Sequence, residues 1–192
     1  MVRLGGDVEF PEVHPEQVAA LARRRDLPAL LDRHVPLGPD QSAVRLGVRR
    51  TDFAHVVRLG WVAEVSRVWV DWGKANGGTV EVPLYSAREV ALLPVVRPGV
   101  DWAALRRTVP GRRSLLAALT PAAPGQDVVS LDDVARIAGV KRAAVTSWRR
   151  TLPGAPPPAA GSRTRPLFDR SAVAAWLLTH GKITVPTTAL ES

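Results

Sequence analysis

Cysteine is absent from the 192 residues, so neither a disulfide framework nor a thiolate-ligated metal can hold the fold together. No apolar run approaches the roughly 20 residues that a bilayer span needs, which argues against a membrane protein. The N-terminus lacks the basic, apolar and small-residue succession of an export signal, so a cytoplasmic, nucleoid-associated location is expected. Histidine occurs only at His14, His34, His55 and His180, in different segments and at no metal-ligand spacing with carboxylates. A Ser-His-Asp order and a phosphate-cradling glycine loop are lacking too, so no catalytic residue, metal or cofactor is expected.

Lysine is also scarce, occurring at Lys74, Lys141 and Lys182, so arginine supplies nearly all the positive charge. The formal net charge is nevertheless +8, which points to a polyanionic partner. Rich usage of Arg, Ala, Val, Gly and Pro is also what a GC-rich genome gives whatever the function, so charge alone discriminates little. The length allows one medium domain or two small ones.

Self-similarity decides between them. Residues 77–85, followed by 86–89 and the run Val90-Ala91-Leu92-Leu93, match residues 5–13, 14–17 and Val18-Ala19-Ala20-Leu21 without a gap. A looser third copy is Arg165-Pro166-Leu167-Phe168, then 169–172 and Val173-Ala174-Ala175-Trp176-Leu177. Each reads as a short strand leading into a helix. In the middle copy Ser86 and Glu89 form a candidate capping box, and Asn76-Gly77-Gly78 suits a tight hairpin after a strand at 65–72. The period extends to Asp26-Leu27-Pro28-Ala29-Leu30 against Asp101-Trp102-Ala103-Ala104-Leu105. Residues 121–126 read as a flexible linker, 153–161 as a flexible proline-rich loop, and the end from about 185 as a disordered tail.

The most informative segment is 131–150. Ser130 is an N-cap candidate, Asp132 and Asp133 suit a first helical turn, and Gly139 breaks the helix. Val134, Ala138, Val140, Val145 and Trp148 then fall on inner faces, with small Ala135 four residues before the glycine. Two short helices crossing steeply need a small residue at the close approach, a glycine in the turn and apolar inner faces. A weaker copy surrounds Gly47, with Ala43, Leu46, Val48, Phe53 and Val56 at matching spacings but Ser42 where an apolar residue is expected; Pro39 starts its first helix.

The 131–150 segment closely resembles the helix-turn-helix family, and with the following hairpin and helix it resembles the winged, MerR-like and excisionase-like branch. That resemblance covers about 50 residues. It implies a recognition helix whose outward face carries Lys141, Arg142, Ala143, Thr146, Ser147 and Arg150, with Arg149 also among the basic DNA contacts. In the weaker copy the corresponding residues are Arg49, Arg50, Thr51, Ala54, His55 and Arg58. Such side chains reach phosphates and base edges. Arg163 and Arg165 are candidate wing contacts, or residues of a solvated loop.

The expected fold is mainly α with small β-hairpin wings, arranged as tandem winged helix-turn-helix units. A remnant wing and helix of a truncated repeat at 1–22 precedes a helical connector at 23–35 and a unit at 36–96. A helical connector and linker at 97–126 leads to a second unit at 127–183 and a disordered tail at 184–192. The first repeat has no helix pair, so the chain is expected to begin in the middle of a repeat. The expected partner is double-stranded DNA, read by a bacterial transcriptional regulator or a plasmid or phage accessory factor. The competing expectation is an architectural or interaction protein, docking on itself, a recombinase, a packaging motor such as a phage terminase, or another regulator. A plainer reading of 131–150 is a helical hairpin that only packs. Of the tryptophans at 61, 69, 72, 102, 148 and 176, most are expected in the core, with Trp148 packing on Trp176.

Overall fold

Capping groups and left-handed glycines set the element boundaries in the computed structural model, which describes residues 3–5, 12–71, 73, 78–123 and 125–186. Strands β1 (Arg3–Gly5) and β2 (Glu12–Val13) pair antiparallel. Helix α1 (Pro15–Ala22) follows, with His14 Nδ1 accepting from the Glu16 amide at 3.2 Å. α1 buries none of its residues. Helix α2 (Leu27–His34) comes next.

Helix α3 (Pro39–Leu46) starts at a proline whose missing N–H no helix start requires. The Gln41 side chain accepts from the Gly38 amide at 2.8 Å. Gly47 stops α3 at φ +67°, a conformation that needs no Cβ, and α4 (Arg50–Arg58) leaves at a new angle. Strands β3 (Glu64–Asp71) and β4 (Thr79–Tyr85) form an antiparallel hairpin feeding α5 (Ala87–Val96). Ser86 Oγ accepts from the Glu89 amide at 3.3 Å, which supplies the serine half of the expected capping box. Trp72 and the Asn76-Gly77 pair lie outside the described residues. Helix α6 (Trp102–Arg107) and a 3-10 turn (Leu115–Ala118) follow.

The second half repeats the plan. β5 (Val128–Ser130) leads directly into α7 (Leu131–Ile137). Ser130 Oγ accepts from the Asp133 amide at 3.2 Å while the Asp133 carboxylate accepts from the Ser130 amide at 3.0 Å, a reciprocal capping box. Gly139, at φ +64°, turns the chain into α8 (Arg142–Thr151). β6 (Ala160–Gly161) and β7 (Pro166–Asp169) then form a hairpin leading into α9 (Arg170–Thr179). β5 adds to the open edge of β7, giving the order β5-β7-β6. The chain is thus a mostly helical α/β protein with small antiparallel sheets. Among the described residues no helix is long and apolar enough to cross a membrane.

Two cores result. Ala43, Leu46, Phe53, Val56, Val90, Leu93, Trp102, Leu105 and Leu116 belong to the first. Phe53 meets Tyr85 edge-on at 5.2 Å. Val129, Val134, Ala135, Ile137, Val145, Phe168, Val173, Trp176 and Leu177 belong to the second, and so does Leu92 of α5. One helix therefore contributes opposite faces to both cores. Beside it, Asp127 accepts from Arg170 Nε at 2.9 Å and pairs with Arg97, while Arg170 Nη1 donates to the Val96 carbonyl at 2.8 Å.

These contacts bear on three expectations. The described residues of the 121–126 segment have no helix or strand, and the chain is fixed again at Asp127, which pairs with Arg97 and Arg170. The start of the 153–161 loop is pinned, because the Pro153 carbonyl accepts from Trp176 Nε1 at 3.1 Å and Pro156 is buried. Residues 184–186 do not belong to the expected disordered tail: Val185 packs on the second core and the Pro186 carbonyl accepts from Arg45 Nη2 at 2.8 Å. Residues 187–192 lie outside the described set. Ser42 is wholly buried, as its apolar-type position requires, and its hydroxyl has no hydrogen-bond partner.

Among the tryptophans, Trp102 and Trp176 are core residues, whereas Trp69 is 66% exposed on the β3–β4 hairpin. Trp148 is half-buried against the second core, its ring covered by Lys182 Nζ at 4.8 Å. Its depth is therefore less than expected.

Candidate nucleic-acid interface

Helix α8 owes its two faces to the 3.6-residue turn. Val145 is fully buried, and Trp148 lies half-buried on the same side. Arg142, Ala143, Ser147 and Arg150 are exposed, as is Lys141 at the N-cap. Thr146 is half-buried, its hydroxyl donating to the Arg142 carbonyl at 3.1 Å. Arg142, Ala143, Thr146, Ser147 and Arg150 line one shallow open groove. Arg142 also meets Asp132 at 3.2 Å, but both side chains are more than half exposed, so this pair is weak and exchangeable.

Arg149 does not share that face. Four residues beyond Val145, it turns inward, and its guanidinium stacks over the Phe168 ring at 4.3 Å. Its Nε is buried without a partner. Arg149 is a packing residue, and its expected place among the outward contacts is corrected.

At α4 two of the expected contacts bond to other parts of the protein. Arg49 donates twice to Asp52, at 2.8 Å from both Nε and Nη2, and Nη1 donates to the carbonyls of Val109 at 2.9 Å and Arg112 at 2.8 Å. Burial acts to raise the Asp52 carboxyl, but hydrogen bonds from Arg49 and Ser114 and the Arg49 charge hold it below the usual carboxylate range. Arg58 Nη2 donates to the carbonyls of Leu116 and Leu119, each at 3.0 Å, and so satisfies the 3-10 turn. Arg58 Nε also donates to His55 Nδ1 at 3.2 Å. Arg49 is thus corrected from an outward contact to a structural one, whereas Arg58 stays exposed while also holding the 3-10 turn. Exposed Arg50 pairs with Asp40 at 3.0 Å, and Thr51 and Ala54 are exposed.

Sequence reasoning missed Arg112 and Arg113. Both are exposed, and with Arg50, Thr51 and His55 they line a groove between α4 and the 110–117 segment. The signal was the dibasic pair after Pro110-Gly111, where Gly111 turns at φ +81°.

Arg163 and Arg165 are exposed on the turn between β6 and β7. The turn is rigidified locally: Ser162 Oγ accepts from the Arg165 amide at 3.1 Å and meets Thr164 Oγ1 at 3.1 Å. A Cβ on Gly161 would lie 2.2 Å from the Arg165 carbonyl oxygen, so only glycine fits. Among the described residues no group of three or more His, Asp or Glu side chains is placed to hold a metal ion. Comparison of the chain with protein-family models, with curated proteins and with solved structures finds no match.

Proposed function

We propose that the protein binds duplex DNA through two winged helix-turn-helix units, with α8 as the principal major-groove reader and α4 as a lesser one. The observation that carries this reading is the clean division of α8. Its inner face is anchored by Val145, while Arg142, Ser147 and Arg150 stand together in solvent around small Ala143, with Lys141 exposed at the N-cap. A small residue between basic and hydroxyl side chains lets the helix approach a groove whose edges and phosphates those side chains can bind. The exposed Arg142–Asp132 pair is weak enough to yield to a phosphate or a guanine edge. Arg163 and Arg165 at the hairpin turn suit contacts to the adjoining backbone. A transcriptional regulator or a plasmid or phage accessory factor fits two such heads in one chain.

Arg50, Thr51, His55, Arg112 and Arg113 supply the second, smaller contact surface. Of its three arginines only Arg50 lies on α4, Arg112 and Arg113 coming from the neighbouring segment, which favours backbone contact over base reading. The same observation supports an alternative, in which the first unit docks a protein such as a recombinase or another regulator while only the second meets DNA.

Fluorescence anisotropy of the full chain with labelled duplexes over a salt series tests the reading. Binding should weaken with salt at a logarithmic slope of about −0.9 per phosphate neutralised. Lys141→Ala with Arg142→Ala should abolish most of it. Unchanged affinity of that double variant on both selected and random duplexes would remove α8 as the reader and make the second unit the docking module instead.

A further inference from the structure

Helices α5 and α9 meet where the two cores adjoin, and they leave a space between them. A cavity of about 520 Å³ lies there, within the size range of small-molecule sites. Leu92, Val96, Ala174 and Leu178 give it an apolar wall, and Trp61, Arg97, Asp127 and Arg170 also line it.

The charges in this lining do not balance. Arg97 and Arg170 share the single carboxylate of Asp127, leaving one positive charge in excess. Arg88 and Glu89, also in the lining, offset each other. The Arg97 side chain is only 11% exposed, and its Nε is buried with no hydrogen-bond partner. A buried cationic donor without an acceptor is unfavourable. Burial draws the Arg97 guanidinium below its ordinary value even with Asp127 beside it, and Arg170 acts in the same direction. The Arg97 guanidinium lies 4.2 Å from the centre of the Trp61 ring, which offsets part of that cost but gives Nε no acceptor, and the nearby Asp133 carboxylate is already paired with Arg136.

We propose that this cavity binds a small amphipathic monocarboxylate, its head at Arg97 and Arg170 and its hydrocarbon or aryl body against Leu92, Val96, Ala174 and Leu178. A carboxylate matches the planar fork of a guanidinium. A neutral apolar molecule would leave the excess charge uncompensated. A compact inorganic anion would leave the apolar wall in water. The site does not depend on DNA binding, but it bears on it: α5 enters the first core through Val90 and Leu93 and the second through Leu92. A ligand beside α5 therefore touches the junction that sets α4 relative to α8.

The test uses the isotope-labelled full chain without DNA, titrated with butanoate, hexanoate, octanoate and benzoate, with hexanol and acetate as controls. NMR follows the Trp61 indole N–H and the amides of Ala174 and Ala175. At least one carboxylate should give saturable shifts confined to the cavity lining, with hexanol and acetate about tenfold weaker or more. Ala175→Phe, which sets a ring at the exposed rim, should remove those shifts and keep the fold. Arg97→Gln should weaken binding about tenfold; should it fail to fold, the Ala175→Phe variant and the hexanol control still decide. Absence of a saturable shift with every carboxylate overturns the proposal. Equal affinity for hexanol makes the cavity an apolar crevice without an anion site, and unchanged binding in Ala175→Phe puts the ligand elsewhere; either result also overturns it.

Discussion

Helices α4 and α8 follow equivalent left-handed glycines, Gly47 and Gly139, and carry basic residues at the same helical positions, yet they use them in opposite ways. Arg49 and Lys141 are the two N-cap residues. Three residues on stands Asp52 in α4 but Ala144 in α8. The buried carboxylate captures Arg49, whereas Lys141 has no such neighbour in its first turn and stays exposed. Arg58 and Arg150 are also equivalent in position; the first satisfies carbonyls of the 3-10 turn and the second faces solvent. Arg149 takes the place of half-buried Val57, which explains why it lies inward. A count of cations on a helix therefore overstates its outward charge when a carboxylate or a row of bare carbonyls lies within reach.

The largest expected effect comes from breaking the capture itself. Asp52 is wholly buried and Arg49 is 18% exposed, so Asp52→Ala leaves a nearly buried guanidinium without its partner. Unfolding in denaturant should show a loss of about 3 kcal/mol, whereas Arg142→Ala, which breaks an exposed pair, should leave stability within about 0.5 kcal/mol. The pair also has a pH signature. Asp52 is held below its unfolded value, burial being outweighed by Arg49 and Ser114, and Asp169 is lowered by Ser171 and the Ala172 amide. Stability from such groups is fully present above the unfolded carboxylate pKa and is lost as pH falls through the lower folded one. Acid unfolding of the parent should therefore be steeper than that of Asp52→Asn.

A second break separates affinity from packing. Arg142→Ala should cost about 1–3 kcal/mol of binding on a preferred duplex and little on random DNA if Arg142 grips a base edge. Arg149→Ala should leave the salt slope unchanged and lower stability by about 1 kcal/mol, through the lost stack on Phe168. Equal losses of affinity from both would show that Arg149 leaves its stack to reach DNA. Ala144→Asp should transplant the capture into α8 and weaken DNA binding by tying Lys141 down.

Much of this was legible locally. The Ser130 capping box, the glycine stops at Gly47 and Gly139, the start of α3 at Pro39 and the strand-to-helix junctions before α5 and α9 all depend on neighbours within about four residues. The order of helix, helix, hairpin and helix over 131–177 follows from them. The long-range part was not legible. β5 pairs with β7 some forty residues away, Arg49 is engaged by carbonyls at 109 and 112, and Asp127 unites Arg97 with Arg170. Such partners have no period in the sequence, so an arginine engaged by a distant carbonyl reads the same as one in solvent.

The smallest expected effect concerns a third inner position at which the two helix pairs differ in polarity. Counted back from the glycines, Ser42 corresponds to Val134, and the two are 0% and 2% exposed. The Ser42 hydroxyl has no hydrogen-bond partner, so it has given up water without replacement. Ser42→Ala removes that group and leaves almost no void, and stability should stay level or rise by up to about 1 kcal/mol. Ser42→Val asks more, since two methyls must enter a site shaped for a hydroxymethyl, and overpacking there would cost about 1–3 kcal/mol. If valine is accepted without loss, the two helix pairs are interchangeable at this position and the serine is a drift from a shared pattern. If alanine destabilises instead, the hydroxyl has a partner in solution, and α3 is held by a polar contact that α7 does not have. Denaturant unfolding of both variants beside the parent, at matched pH, distinguishes these outcomes.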